Sequence, residues 1–147
     1  MKNLAHILSD FRASGVFRLA DDAPIKEFEK LAKQYTYAFF LLDGAGIQGK
    51  EQFLKHAAAV LSFPDYFGNN WDAFEDCLTD MSWHETDGFV ILYDRFEAFA
   101  ELAPDQFKIA LEILKDSANY WRDQRKPLFV LLRGHEGQGW ELPSIAL

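Results

Sequence analysis

The sequence has few of the features that build secreted or membrane proteins. Its 147 residues include one cysteine, Cys77, so neither an internal disulfide nor a cysteine-based zinc site can form. No apolar run approaches the roughly 18 to 20 residues that cross a bilayer. The opening stretch MKNLAHILSDFRASG lacks an uninterrupted apolar segment followed by a small-residue cleavage site. These absences predict a cytoplasmic protein held together by packing alone. There is no internal repeat and no low-complexity stretch, and Gly44, Gly46 and Gly49 lack the lysine and serine arrangement of a phosphate-cradling loop.

Positive charge is scarce in one place in particular. The chain carries 15 basic and 23 acidic residues, a net charge of -8. Between Lys55 and Arg95 there is no lysine or arginine, whereas Asp65, Asp72, Glu75, Asp76, Asp80, Glu85, Asp87 and Asp94 all fall in that gap. The rest of the chain is neutral, so the excess is one concentrated segment. Negative charge opposes attraction to nucleic-acid phosphates and to anionic membrane surfaces. A basic protein is the expected partner, with no nucleic acid and no membrane.

Almost half of the residues are apolar, enough for the core of one ordinary domain. The pattern alternates between helix and strand. Residues 2–11 suggest a short helix, 16–19 a short strand, and 24–34 a helix with Pro24 in its first turn. Residues 35–42 (YTYAFFLL) form an unbroken apolar run that predicts a strand buried on both faces. Helical spacing over 50–61 ends at Pro64, which disfavours helical geometry in the residue before it. A helix over 70–81, a strand over 89–93 (FVILY), a long helix over 104–121 and a strand over 128–132 (LFVLL) complete the pattern. Short apolar strands separated by helices predict an α/β fold with a parallel sheet covered by helices. Residues 134–147, with three glycines, read as a loop or frayed end.

The informative stretch is FPDYFGNNWDAFEDCLTDM, residues 63–81. Asn70 suits an N-cap, and Asp72 then falls in the first turn, where the helix dipole favours a carboxylate. At about 100° per residue from Trp71, the residues Glu75, Thr79, Asp72, Asp76 and Asp80 occupy one arc of about 40° to 180°. Ala73, Phe74, Cys77, Leu78, Met81 and Trp71 fill the remainder, a face for burial, which makes Cys77 an inert small side chain rather than a nucleophile. The acidic arc repels itself at Asp72/Asp76 and Asp76/Asp80 by a few tenths of a kcal/mol per pair. A helix that tolerates this points to a use outside the fold. In the loop before it, Phe63 and Phe67 suit core plugs, Tyr66 suits a wet or interfacial position, and Gly68 provides a backbone free to take positive φ.

Residues 63–81 closely resemble the signature of the barstar family, small intracellular inhibitors of microbial ribonucleases. That signature is a proline-aromatic-aromatic-glycine loop leading into a helix with Asn, Asp-Ala, Asp-Cys-Leu and Thr. The likeness extends over about residues 35–132, with 1–34 as an N-terminal α/β extension and 133–147 as a tail to a single domain. It implies a three-stranded parallel sheet flanked by helices, no enzymatic activity and no cofactor. It also implies a basic, secreted-type, barnase-like ribonuclease as partner, with the inhibitor a monomer when free. By position, Asp76 matches the carboxylate that occupies the enzyme's phosphate site, and Asp72 matches a second acid that pairs with enzyme cations. Tyr66 matches an aromatic that meets the enzyme's catalytic histidine, while Gly68, Asn70, Trp71 and Thr79 match positions lining the same contact. Asp116 on the long helix matches a further acidic contact. Two positions depart: Glu75 stands where the best-known member has tryptophan, placing one more acid on the arc, and Asn69 stands where that member has an acid.

Two other readings stay open at this point. Asp72, Asp76 and Asp80 are hard oxygen donors of the kind that bind metal ions, although no calcium-loop signature accompanies them. The same fold could also serve to bind another basic protein, and Glu75 is the residue that favours this. His6, His56 and His135 stand alone in sequence and read as structural.

Overall fold

In the computed structural model, the described residues are 2–65, 67–134 and 141–147. Six parallel-paired strands run β1 (Lys2–Asn3), β2 (Gly15–Leu19), β3 (Ala38–Asp43), β4 (Phe89–Asp94), β5 (Leu128–Arg133) and β6 (Ser144–Ala146). In space they order as β1-β6-β2-β5-β4-β3. The helices are α1 (Leu4–Leu8), α2 (Ile25–Gln34), α3 (Lys50–Val60), α4 (Trp71–Leu78), α5 (Glu97–Leu102) and α6 (Pro104–Asp123). No helix among the described residues is long and apolar enough to cross a membrane.

The apolar runs explain the layers. Alternate residues of a strand point to opposite faces. In β5, Leu128, Val130 and Leu132 therefore join α3, α4, α5 and α6, while Phe129 and Leu131 join α1 and α2. Likewise Phe89, Ile91 and Tyr93 of β4 face one way and Val90 and Leu92 the other. The central strands are buried on both faces because helices cover both, as parallel sheets require.

Four expectations need correction. The sheet has six strands, not three: β2 lies inside it against β5, and β6 lies between β1 and β2. The C-terminal tail is thus not all loop, because Ile145 is fully buried and residues 144–146 pair with both neighbours. Residues 2–11 are a two-residue strand, a short helix capped by Asn3 and the start of a 3-10 turn at Phe11–Ala13 capped by Asp10, since each cap side chain stops the preceding conformation. Finally, β3 is an edge strand rather than a strand buried on both faces. Phe40 and Leu42 are buried, but Leu41, on the other face of this edge strand, is 37% exposed.

Candidate partner-binding site

The polar face of α4 is built by its cap and by two indoles. Asn70 takes the N-cap position, its side-chain oxygen accepting the Ala73 N–H at 2.8 Å and its amide donating to the Gly68 carbonyl at 3.3 Å. The left-handed residue in this turn is Asn69, at φ 52°, rather than Gly68. Asn accepts that region more readily than most side chains. At the start of α4 the Trp71 indole donates to Gln106 Oε1 at 2.9 Å, and at its last residue the Trp121 indole donates to the Leu78 carbonyl at 2.9 Å. Both partners lie on α6, so α4 runs along α6 with each end pinned.

Those anchors fix which residues face outward. Phe74, Cys77 and Leu78 are buried, while Asp72, Glu75, Asp76 and Asp80 are exposed. None of these four acids forms an ion pair among the described residues. The arginines of the N-terminal segment are engaged elsewhere, Arg12 with Asp10 and Arg18 with the Gly134 carbonyl. No cation is paired with this face among the described residues, although Lys50 of α3 lies 6.0 Å from the Trp71 ring at its N-terminal end. Burial pushes the Cys77 thiol up, and Asp76 and Asp80 add to the effect, so the thiol is neither exposed nor activated.

The site residues expected from the sequence divide into three groups. Asp72, Glu75 and Asp76 share the exposed face, with Gly68 and Asn70 exposed at its N-terminal end. Trp71 and Thr79 are only half-buried, and each is occupied: the Trp71 ring lies 5.8 Å from Phe53 and 6.0 Å from Phe74, and Thr79 Oγ1 closes the last turn onto the Glu75 carbonyl at 2.8 Å. Tyr66 lies outside the described residues, as does His135. Phe63 and Phe67 pack edge to face at 5.2 Å against the core, as expected.

Asp116 is exposed on α6. Gln106 marks the side of α6 that faces α4, and at about 100° per residue Asp116 lies within about 80° of it. Ile109 and Tyr120 fall closer still and are 36% and 43% exposed. Sequence reasoning missed these two, although their placement beside Asp116 on the outer shoulder of an otherwise polar stripe was a readable signal. Both are exposed apolar area on the Gln106 side of α6, and desolvated area together with charge is the combination found in protein contacts. Among the described residues, no group of three or more His, Cys, Asp or Glu side chains is placed to hold a metal ion.

Residues 37–133 match the family model described as Barstar (barnase inhibitor). No curated protein matches the sequence.

Proposed function

The chain belongs to the barstar family, and from that membership we propose that it is an intracellular protein inhibitor of a basic ribonuclease, acting by occlusion rather than catalysis. The observation that carries the proposal is the row of exposed α4 carboxylates with no ion-pair partner among the described residues. A ribonuclease cleft uses Arg, Lys and His to grip phosphate oxygens, and carboxylates at suitable separations satisfy the same donors. Asp76, central on the face, takes the phosphate position. Asp72 pairs with a neighbouring cation, with Asp116, Ile109 and Tyr120 meeting the rim. Tyr66 and Gly68 supply loop contacts. Glu75 replaces aromatic contact area with charge, which favours an enzyme that presents a cation where relatives present an apolar surface.

Isothermal titration and inhibition assays against a panel of small basic ribonucleases test this. At least one should bind in one-to-one stoichiometry, and Asp76→Ala should weaken that complex by several kcal/mol, the range of charged interface hot spots. The barnase–barstar pair is itself a source of that range, so the figure states an expectation and adds no support. Raising salt should slow association far more than dissociation. Binding unchanged by Asp76→Ala would remove the phosphate-mimic mechanism, and binding only to a basic protein without nuclease activity would replace the partner class.

A further inference from the structure

A second polar concavity lies away from α4. A cleft of about 510 Å³ opens at the carboxyl ends of β2, β4 and β5, lined by Arg18, Asp21, Asp94, Arg95, Glu97 and Arg133 among others. Its position follows from the topology. The chain leaving β2 enters α2 on one face of the sheet, the chain leaving β4 enters α5 and α6 on the other, and β5 lies between them. Connections that depart to opposite faces leave the strand ends uncovered, which is where open parallel sheets bind ligands.

Most charges in the cleft satisfy one another. Arg133 grips Asp94 through bonds of 3.0 and 3.2 Å and gives its remaining nitrogen to the carbonyls of Asp21 and Ala23. Arg95 reaches Asp43 at 3.5 Å. The Asp21 carboxylate accepts the backbone N–H groups of Ala23 and Leu147 at 2.8 and 2.9 Å. Asp22 is exposed to solvent.

Two groups are left over. Arg18 is only 9% exposed, its guanidinium lies 5.0 Å from the centre of the Phe96 ring, and that guanidinium makes one hydrogen bond among the described residues, to the Gly134 carbonyl at 3.0 Å. A guanidinium has five N–H donors, so most of its capacity is unused. Glu97 is half-buried, and its Oε2 is buried without a hydrogen-bond partner. Gly134 lies against that carboxylate so closely that a Cβ there would collide with Oε2. Arg18 and Glu97 line the same cleft, yet no ion pair joins them. An opposite-charge pair held apart in a polar cleft, both members short of partners among the described residues, presents the complement of a molecule carrying both charges.

We propose that this cleft binds a small zwitterion of the amino-acid class, its carboxylate on Arg18 and its ammonium on Glu97. The planar guanidinium, steadied against Phe96, suits a carboxylate in a two-bond arrangement. The Glu97 carboxylate suits an ammonium. A simple anion would leave Glu97 unmet and repelled, and a simple amine would leave Arg18 unmet.

The test is thermal melting and titration of the full chain with free L-α-amino acids at about 10 mM, since a ligand selective for the folded state raises its stability by mass action. Each is measured beside its N-acetyl derivative, its decarboxylated amine and inorganic phosphate. At least one free amino acid should raise Tm and saturate at one per chain, with both blocked forms and phosphate inactive. Arg18→Gln and Glu97→Gln should each weaken binding at least about tenfold, while Asp76→Ala should leave it unchanged, which separates this site from the α4 surface. If Arg18→Gln does not fold, Glu97→Gln decides alone. The proposal fails if no amino acid binds, if a blocked form or phosphate binds as well as the free amino acid, or if Glu97→Gln binds like the wild type.

Discussion

The two acid-rich regions of this molecule handle negative charge in opposite ways. At the strand ends, Asp94 faces Arg133 across neighbouring strands in register, and their side chains are 18% and 16% exposed. Asp21 beside them is held by backbone N–H groups. On α4 and just past its end, Asp72, Glu75, Asp76 and Asp80 are exposed and carry no ion pair among the described residues. Carboxylates that serve the fold come with partners supplied by the same chain. Those on α4 come without, so the fold gains little from them and a second molecule has more to gain.

The comparison breaks most visibly at Asp76 and Arg133. Asp76→Ala should cost several kcal/mol of affinity for the ribonuclease and almost nothing in folding stability. Arg133→Ala should do the reverse, losing about 3 kcal/mol of folding stability because Asp94 would keep a half-buried, unpaired charge. Two carbonyls would lose their donor as well. Urea midpoints and titration on both variants check the crossed pattern, and equal effects on both properties in either variant would erase the distinction.

A smaller effect distinguishes the regions by pH. The backbone N–H groups of Leu147 and Ala23, with a lesser contribution from Arg133, hold the Asp21 carboxyl below its ordinary value of 3.8. A carboxyl depressed in the folded state adds stability above its unfolded value and loses it as pH falls through the folded one. Asp21→Asn should therefore be less stable than the wild type at neutral pH, with the gap narrowing once pH falls below 3.8. Denaturant midpoints from pH 7 downward check this, and a gap constant with pH would show that the hydrogen bonds, not the charge, carry the effect.

How much of this was legible in the sequence depended on how much apolar surface each element buries. Strands β4 and β5 announced themselves because both faces are covered, leaving unbroken apolar runs. Strand β6 has one fully buried residue, Ile145, between an exposed Ser144 and a half-buried Ala146, and its pairing is set by tertiary contacts that no three-residue pattern encodes. The run in 35–42 was misleading for the opposite reason. An edge strand with Leu41 outward has the composition of a central one, and strand order is absent from local sequence. At the site, the period of α4 separated the acidic arc from the buried face correctly. What it could not supply was the role of Trp71, which lies on the boundary between the faces and is turned inward by Gln106, 35 residues away.

The finest distinction lies within α4 itself. Asp76 has like charges one turn away on both sides, Asp72 and Asp80, so Asp76→Asn removes two repulsive pairs and should stabilise the free protein by about 0.5 kcal/mol. Asp80 lies just past the end of the helix, where the dipole disfavours a carboxylate, so Asp80→Asn removes one repulsion and one dipole penalty and should stabilise it by a similar amount. Asp72 sits in the first turn, where the dipole favours it; Asp72→Asn trades that benefit against two lost repulsions, with Glu75 and Asp76, and should come out near zero. The two gains should shrink in about 1 M salt, because exposed charges are screened. Thermal melts at low and high salt would show the pattern, and a loss of stability in Asp76→Asn that salt does not reduce would mean that this carboxylate serves the fold after all.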